Sequence, residues 1–188
     1  MLEQILERVQ GILLHPEETW DSVRLEKTSA RHLFEQYVIV LAAVPSIAGF
    51  LGSLFTGENF FKALFWGLFY YGFLLASIWL AVLVLSHVSR NFHAPHDQDK
   101  LFRLVAYSST AFYLAGVFFL IPPLYWLAIV GLYGFYVFNV GIDNLLDVPA
   151  EEKWTFKILA MFVLAFMQIL PFTLAGALSG TGVAYLRM

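Results

Sequence analysis

The chain has 188 residues, of which 60% are hydrophobic and 13% charged, and its mean hydropathy is +0.72. Because so few polar side chains cannot cover a soluble globule of this size, the composition predicts an all-α integral membrane protein. The net charge of −3 argues against nucleic acid as a partner, and the lack of cysteine excludes disulfides, thiolate metal sites and cysteine nucleophiles.

The N-terminal segment, residues 1–32, is predicted to form two short helices ahead of a transmembrane domain that covers residues 33–188. Residues 2–14 place apolar side chains at helical spacing with charged and amide side chains mostly opposite, the pattern of an amphipathic helix. Pro16, followed by two glutamates, is typical of the first turn of a second helix.

Both N-terminal helices are too short to cross a membrane, which leaves two placements open. They can lie along the membrane interface with Trp20 at headgroup depth, or pack against the cytosolic ends of the transmembrane helices. We expect Leu13, Pro16 and Trp20 to contact lipid or a partner protein, and we refer to this segment as interfacial.

Five apolar runs follow, each long enough to cross a hydrocarbon layer. They cover about residues 37–55, 61–89, 101–121, 124–147 and 154–178. The pair Pro122–Pro123 separates the third and fourth runs, because proline donates no backbone hydrogen bond and makes the preceding residue extended. Pro45 and Pro171 are expected to bend the first and fifth spans.

The distribution of basic residues predicts the orientation of these spans. Of the 11 Lys and Arg residues, nine fall on the side of the N-terminus and two on the other side. By the positive-inside rule, the N-terminus is cytoplasmic and the C-terminus external.

Three short motifs carry a family resemblance. They are the run from Leu13 to Trp20 (LLHPEETW), the Ala106-Tyr107-Ser108 element in the third span, and Ile121 with the proline pair ahead of a fourth span that reaches Gly141. With the five spans, these motifs resemble the Yip (Ypt-interacting protein) domain family, which includes Golgi and endoplasmic reticulum proteins and many bacterial relatives. The resemblance implies membrane organisation, trafficking or partner binding. The Asp-Leu-Tyr-Gly-Pro element of eukaryotic members is absent, which favours a bacterial cytoplasmic (inner) membrane.

A polar loop between the second and third spans offers two imidazoles and two carboxylates, a ligand set suited to zinc or another divalent ion. A solvated connection is the competing interpretation. With residues predicted to share the same membrane side, the candidate metal ligands are His87, His93, His96, Asp97, Asp99, Asp143 and Asp147. Asp143 and Asp147 have an alternative role as interfacial carboxylates that pair with Arg103 or Lys157.

Polar groups inside the spans are expected to bind neighbouring helices. Asn139 seeks a partner on the third span, where Tyr107 and Ser108 lie, and Gln168 is predicted to join helices. A stripe of small residues in the first span, made of Ala42, Ser46, Gly49 and Ser53, predicts close helix packing within a bundle or a homo-oligomer.

No catalytic motif is present, and the pairs Glu17–Glu18 and Glu151–Glu152 lack the arginine that follows the paired glutamates of intramembrane proteases. We therefore expect a non-catalytic protein with no certain cofactor, which organises membrane or binds lipid or protein partners. The alternative function is an oligomeric channel or transporter for small divalent cations that uses the His/Asp site.

Overall fold

A computed structural model of the chain describes residues 2–93 and 97–180, and all regular structure in these ranges is helical. The helices are α1 (Leu2–Leu14), α2 (Pro16–Leu25), α3 (Ala30–Phe55), α4 (Phe60–Asn91), α5 (Gln98–Leu120), α6 (Pro122–Leu145) and α7 (Lys153–Ser179). Within the described residues, the five helices α3 to α7 are long and apolar enough to cross a membrane. The all-α polytopic fold expected from the sequence is confirmed.

The first span, α3, begins at Ala30, seven residues earlier than the apolar pattern predicts. Ser29 caps this start, since its hydroxyl accepts a hydrogen bond from the His32 amide. One π-helical segment, Phe34–Val38, interrupts the first turns, and the helix then continues through Pro45. The polar first turns therefore extend the span beyond its apolar part.

The hairpin of α5 and α6 is organised around the proline pair. Ile121 has φ −116° and ψ 100°, so the residue before the prolines is extended as predicted. The last part of α5, Gly116–Leu120, and the first part of α6, Pro122–Leu132, are 3₁₀ helices. Because a 3₁₀ helix rises about 2.0 Å per residue against about 1.5 Å in an α-helix, this arm of α6 crosses more of the apolar layer with the same number of residues.

Helix α5 lies at the centre of the bundle. Every residue from Leu101 to Ala111 is buried, and α5 packs against α3, α4 and α6. Helix α7 packs mainly against α4 at the side of the bundle.

The small residues of α3 allow close approach within this chain. A Cβ added at Gly49 would lie 2.2 Å from the Trp66 ring, and one at Gly52 would lie 2.0 Å from the Phe119 carbonyl oxygen. These positions have no room for a side chain, so this face of α3 is covered by α4 and α5.

The N-terminal helices α1 and α2 pack on the bundle, the second of the two placements considered. Helix α2 contacts α6, and the core that begins at Ile5 continues without interruption through the spans to Ala175. Ile12, Trp20 and Val23 are fully buried. The N-terminal pair and the transmembrane helices therefore share one hydrophobic core.

Replacing Gly52 by alanine should lower the thermal unfolding temperature in detergent. In an open helix, Gly→Ala is expected to stabilise by about 0.5–1 kcal/mol, but at Gly52 the new methyl group collides with a backbone oxygen. Gly72 is the matched control, because nothing lies within 4 Å of its added Cβ, and Gly72→Ala should leave the unfolding temperature unchanged or raise it. Equal shifts for both variants would contradict the packing of α3 on α5.

Candidate functional site: the docking site of the N-terminal helices

Trp20 is the anchor of α2 on the transmembrane bundle. Its side chain is 0% exposed, and its indole Nε1 donates a hydrogen bond of 3.0 Å to the Val137 carbonyl on α6. The ring fills the space left by Gly141, where an added Cβ would lie 2.7 Å from the Trp20 ring. Tyr107 of α5 meets the ring edge-on at 6.1 Å between centroids.

This packing corresponds to the second of the two placements left open for the N-terminal helices. Trp20 lies inside the protein and not at headgroup depth, and Pro16 is buried as well. Because they are buried, neither Trp20 nor Pro16 can contact lipid or a partner protein in this structure. Leu13 is half-buried and packs against the core. An amphipathic pattern identifies which face is covered, but a helix of the same chain covers it here, not lipid.

Arg103 of α5 holds the C-terminal end of α2. The residue is 5% exposed, and its guanidinium donates hydrogen bonds to the carbonyls of Val23 and Glu26, the first at 3.0 Å, and to the Asp99 carbonyl at 3.2 Å. The last carbonyls of a helix have no partner within the helix and carry partial negative charge, so they suit a buried cation.

The side chain of Glu26 completes this attachment. Its carboxylate forms an ion pair with Arg8 of α1 and accepts a hydrogen bond of 3.2 Å from the Tyr107 hydroxyl. The Arg8 guanidinium also lies 5.2 Å from the centroid of the Tyr107 ring, within cation–π range. One carboxylate therefore links α1, the end of α2 and the central span.

These groups border a cleft of about 170 Å³ between α1, the segment after α2, α3 and α5. Its lining residues are Gln4, Ile5, Arg8, Glu26, Thr28, His32, Leu33, Gln36, Tyr37 and Tyr107. Arg8 and Glu26 neutralise each other, and the Tyr37 hydroxyl shares a hydrogen bond of 2.7 Å with Thr110. Because Arg8 and Glu26 are paired with each other, they join α1 to the end of α2, and neither charge is left free for a ligand in this cleft.

Three of the candidate metal ligands around the start of α5, His93, Asp97 and Asp99, have partners within the described part of the chain. Asp97 caps α5 by accepting from the Asp99 amide at 2.9 Å, and the Asp99 carboxylate accepts from the Ala30 amide at 2.7 Å. His93 lies 3.5 Å from the Glu152 carboxylate, and His87 is exposed. His96 lies outside the described residues. Among residues 2–93 and 97–180, no three His, Asp or Glu side chains are grouped so that they could hold a metal ion.

Asp143 joins α6 to α7, not to the loop. Its carboxylate oxygens lie 2.6 Å from the Lys153 ammonium and 2.6 Å from that of Lys157. The pairing with Lys157 is the alternative role considered from the sequence. Asp147 is exposed after the end of α6. The acidic face of α6 is therefore a helix connection at the end of the bundle that carries the N-terminal pair.

Of the polar residues predicted inside the spans, Gln168 joins two helices as expected, whereas Tyr107 has a partner that was not expected. Gln168 of α7 donates a hydrogen bond of 2.9 Å to the Ser109 hydroxyl of α5, which is the helix-joining role expected of it. Ser108 is buried, and its hydroxyl has no hydrogen-bond partner in the described part of the chain. Asn139 is half-buried. Tyr107, one of the partners expected for Asn139, donates its hydroxyl to the Glu26 carboxylate.

Arg8, Glu26 and Arg103 are the residues of this site that the sequence did not identify as such. Arg103 had one usable signal, because it is a single cation within a run that is otherwise apolar and small, LFRLVAYSS. A charge in such a surrounding requires partners. The Val23 and Glu26 carbonyls that it binds lie about 80 positions earlier, which no local pattern reveals.

Arg103→Met should loosen the end of α2, because the Glu26 carbonyl loses its donor and the Val23 carbonyl keeps only the Glu26 amide. Each buried group left without a partner costs about 1–3 kcal/mol. We expect a lower unfolding temperature and faster hydrogen–deuterium exchange of the amides of α2. Arg31→Met is the control, since that side chain is 85% exposed and bonds Glu35 one turn away. Identical exchange of α2 in both variants would contradict the role of Arg103.

Comparisons with known proteins agree with this architecture. The family model for the Yip1 domain matches residues 11–181, from the last turn of α1 through all five transmembrane helices. The inner membrane protein YohC of Escherichia coli K12 is 26% identical over an alignment 184 residues long, and the alignment covers 89% of this chain and 94% of that protein. YohC of Escherichia coli O6:H1 strain CFT073 gives the same values. No solved structure matches the chain. With five transmembrane helices, the three motifs and a match over most of its length, the chain belongs to the Yip1 domain family.

Proposed function

We propose that the protein is a non-catalytic protein of the bacterial cytoplasmic membrane that binds a partner protein through the docked pair of α1 and α2. The observation that carries this proposal is the way the pair is fixed: Trp20, Glu26 and Arg103 attach it to the spans, while leucines on its other side stay exposed. A rigid surface loses little conformational entropy on binding.

The N-terminal pair is placed on the cytoplasmic side in this proposal. Nine of the 11 basic residues flank this end of the bundle, the asymmetry that the positive-inside rule associates with the cytoplasm. The relatives are named as inner membrane proteins. A partner would therefore approach from the cytoplasm.

The exposed surface of the pair is apolar and acidic. Leu6 is 58% and Leu25 82% exposed. The same two helices expose five carboxylates, those of Glu3, Glu7, Glu17, Glu18 and Asp21, and these outnumber the exposed cations Arg24 and Lys27 near Leu25. An anionic lipid surface repels such a face, so the chemistry favours a protein that offers basic side chains around an apolar patch.

The opposite end of the pair faces the membrane. The Tyr133 hydroxyl donates a hydrogen bond of 3.0 Å to the Leu13 carbonyl, and Tyr133 and Tyr136 are both exposed on α6. Exposed tyrosines are typical of the headgroup layer. Leu14, which is 69% exposed next to this contact, then reaches lipid, while Leu6 and Leu25 remain available to a protein.

Site-specific photo-crosslinking in cells tests this proposal. A photoreactive residue at Leu6 or Leu25 should give the same discrete protein adduct from both positions, because both lie on the proposed surface. The adduct should weaken when Glu18 and Asp21 are changed to lysine, since the basic partner is then repelled.

The control position is Phe162 of α7, which is 70% exposed on a transmembrane helix and is expected to face lipid. It should give no such protein adduct. If Leu6 and Leu25 give no protein adduct either, or if the lysine substitutions leave the yield of the adduct unchanged, the partner proposal is wrong.

A further inference from the structure

A second cavity, separate from the docking site, lies within the transmembrane bundle between α4, α5, α6 and α7. Its volume is about 330 Å³. The lining residues are Tyr70, Leu74, Phe112, Tyr113, Gly116, Phe119, Ala128, Leu132, Gln168, Ile169 and Phe172. Five of them are aromatic and none is charged, so the cavity suits an uncharged ligand with a flat ring.

The wall of this cavity contains a polar group that is not fully bonded. Tyr113 is 1% exposed, and its hydroxyl makes no hydrogen bond of normal geometry within the described part of the chain. Its polar neighbour there is the Ser109 hydroxyl, which already accepts from Gln168. A buried donor without an acceptor costs free energy, which a ligand oxygen would recover. Gln168, which also lines the cavity, uses its amide Nε2 to bind Ser109, and its carbonyl is held in place by that bond.

The cavity opens toward the lipid between α6 and α7. Helix α7 packs mainly on α4, whereas the 3₁₀ arm of α6 packs on α5, so these two helices border the cavity from different sides. At its rim, Leu132 of α6 is 53% and Ile169 of α7 is 61% exposed. A lipid-soluble molecule can therefore enter from the membrane and leave an apolar tail there.

We propose that this cavity binds a lipid-soluble molecule with a planar ring that bears carbonyl groups, the chemistry of an isoprenoid quinone. The aromatic walls stack on the ring, the Tyr113 hydroxyl donates to a carbonyl oxygen, and the tail passes between Leu132 and Ile169. Phosphate and carboxylate headgroups are disfavoured, because no lining side chain compensates their charge in a low-dielectric site.

Equilibrium binding to the purified full chain in detergent tests this assignment. The probe is a benzoquinone with a decyl tail, and decanoic acid and decanol, which have the tail without the ring, are the comparison ligands. We expect saturable binding of one quinone per chain and no saturable binding of either comparison ligand. No saturable quinone binding, or equal binding of decanoic acid or decanol, overturns the proposal.

Tyr113→Phe removes the hydroxyl and keeps the ring, and it should weaken quinone binding about three- to tenfold. Tyr136→Phe is the matched control, since Tyr136 is exposed and does not line the cavity, and it should bind quinone like the unmodified chain. Ala128→Phe should fill the cavity and abolish binding. Unchanged affinity in Tyr113→Phe, which disturbs the fold least, contradicts the role of the hydroxyl and with it the proposed site.

Discussion

The attachment of the N-terminal helices to the membrane bundle depends on one buried guanidinium. Arg103 lies on the most buried span and donates to the carbonyls of Val23 and Glu26, where α2 ends. Removing a buried cation from its partners is costly, and so is leaving the terminal carbonyls of a helix without donors. The cost at Arg103 arises if α2 leaves the bundle, whereas the freed carbonyls of α2 can then bind water, so the buried guanidinium keeps the first 26 residues within the fold.

This attachment explains why the exposed and covered faces of α1 and α2 have different roles. On the covered face, the Trp20 ring packs against Gly141, where a larger residue would collide with it. The ion pair of Arg8 with Glu26 joins α1 to the C-terminal end of α2. The exposed face is then held at a fixed position above the membrane. A surface of this kind can be recognised without first being ordered, which is the physical basis of the proposed partner binding.

The sequence predicts the transmembrane part of the fold well, because a span requires only a sufficient run of apolar residues. The turn at Pro122 is equally local, since proline constrains its own backbone and that of Ile121. The 3₁₀ arms of the hairpin were not predictable, as the same apolar run is compatible with either helix type. Gly49 and Gly52 indicate that another helix packs closely on α3, but the sequence does not show which helix it is.

The functional residues were less predictable for a related reason. His93, Asp97 and Asp99 form a pattern that suits a metal ion, yet each is within reach of a nearer partner in the folded chain, such as the Ala30 amide for Asp99. Local composition supplies the ligand types but not the competing contacts. Conversely, the α2 carbonyls that Arg103 binds are about 80 positions away, so its role in holding α2 depends on tertiary structure.

The most direct measurement is the exchange rate of the Trp20 indole proton, observed by NMR on tryptophan-labelled protein in lipid nanodiscs. The Trp20→Phe variant assigns the resonance, and Trp154, which is 77% exposed, provides an internal reference. Because the Trp20 indole is fully buried and bonded to Val137, its proton should exchange far more slowly than that of Trp154. Equally fast exchange of the two indole protons would contradict the docking of the N-terminal helices.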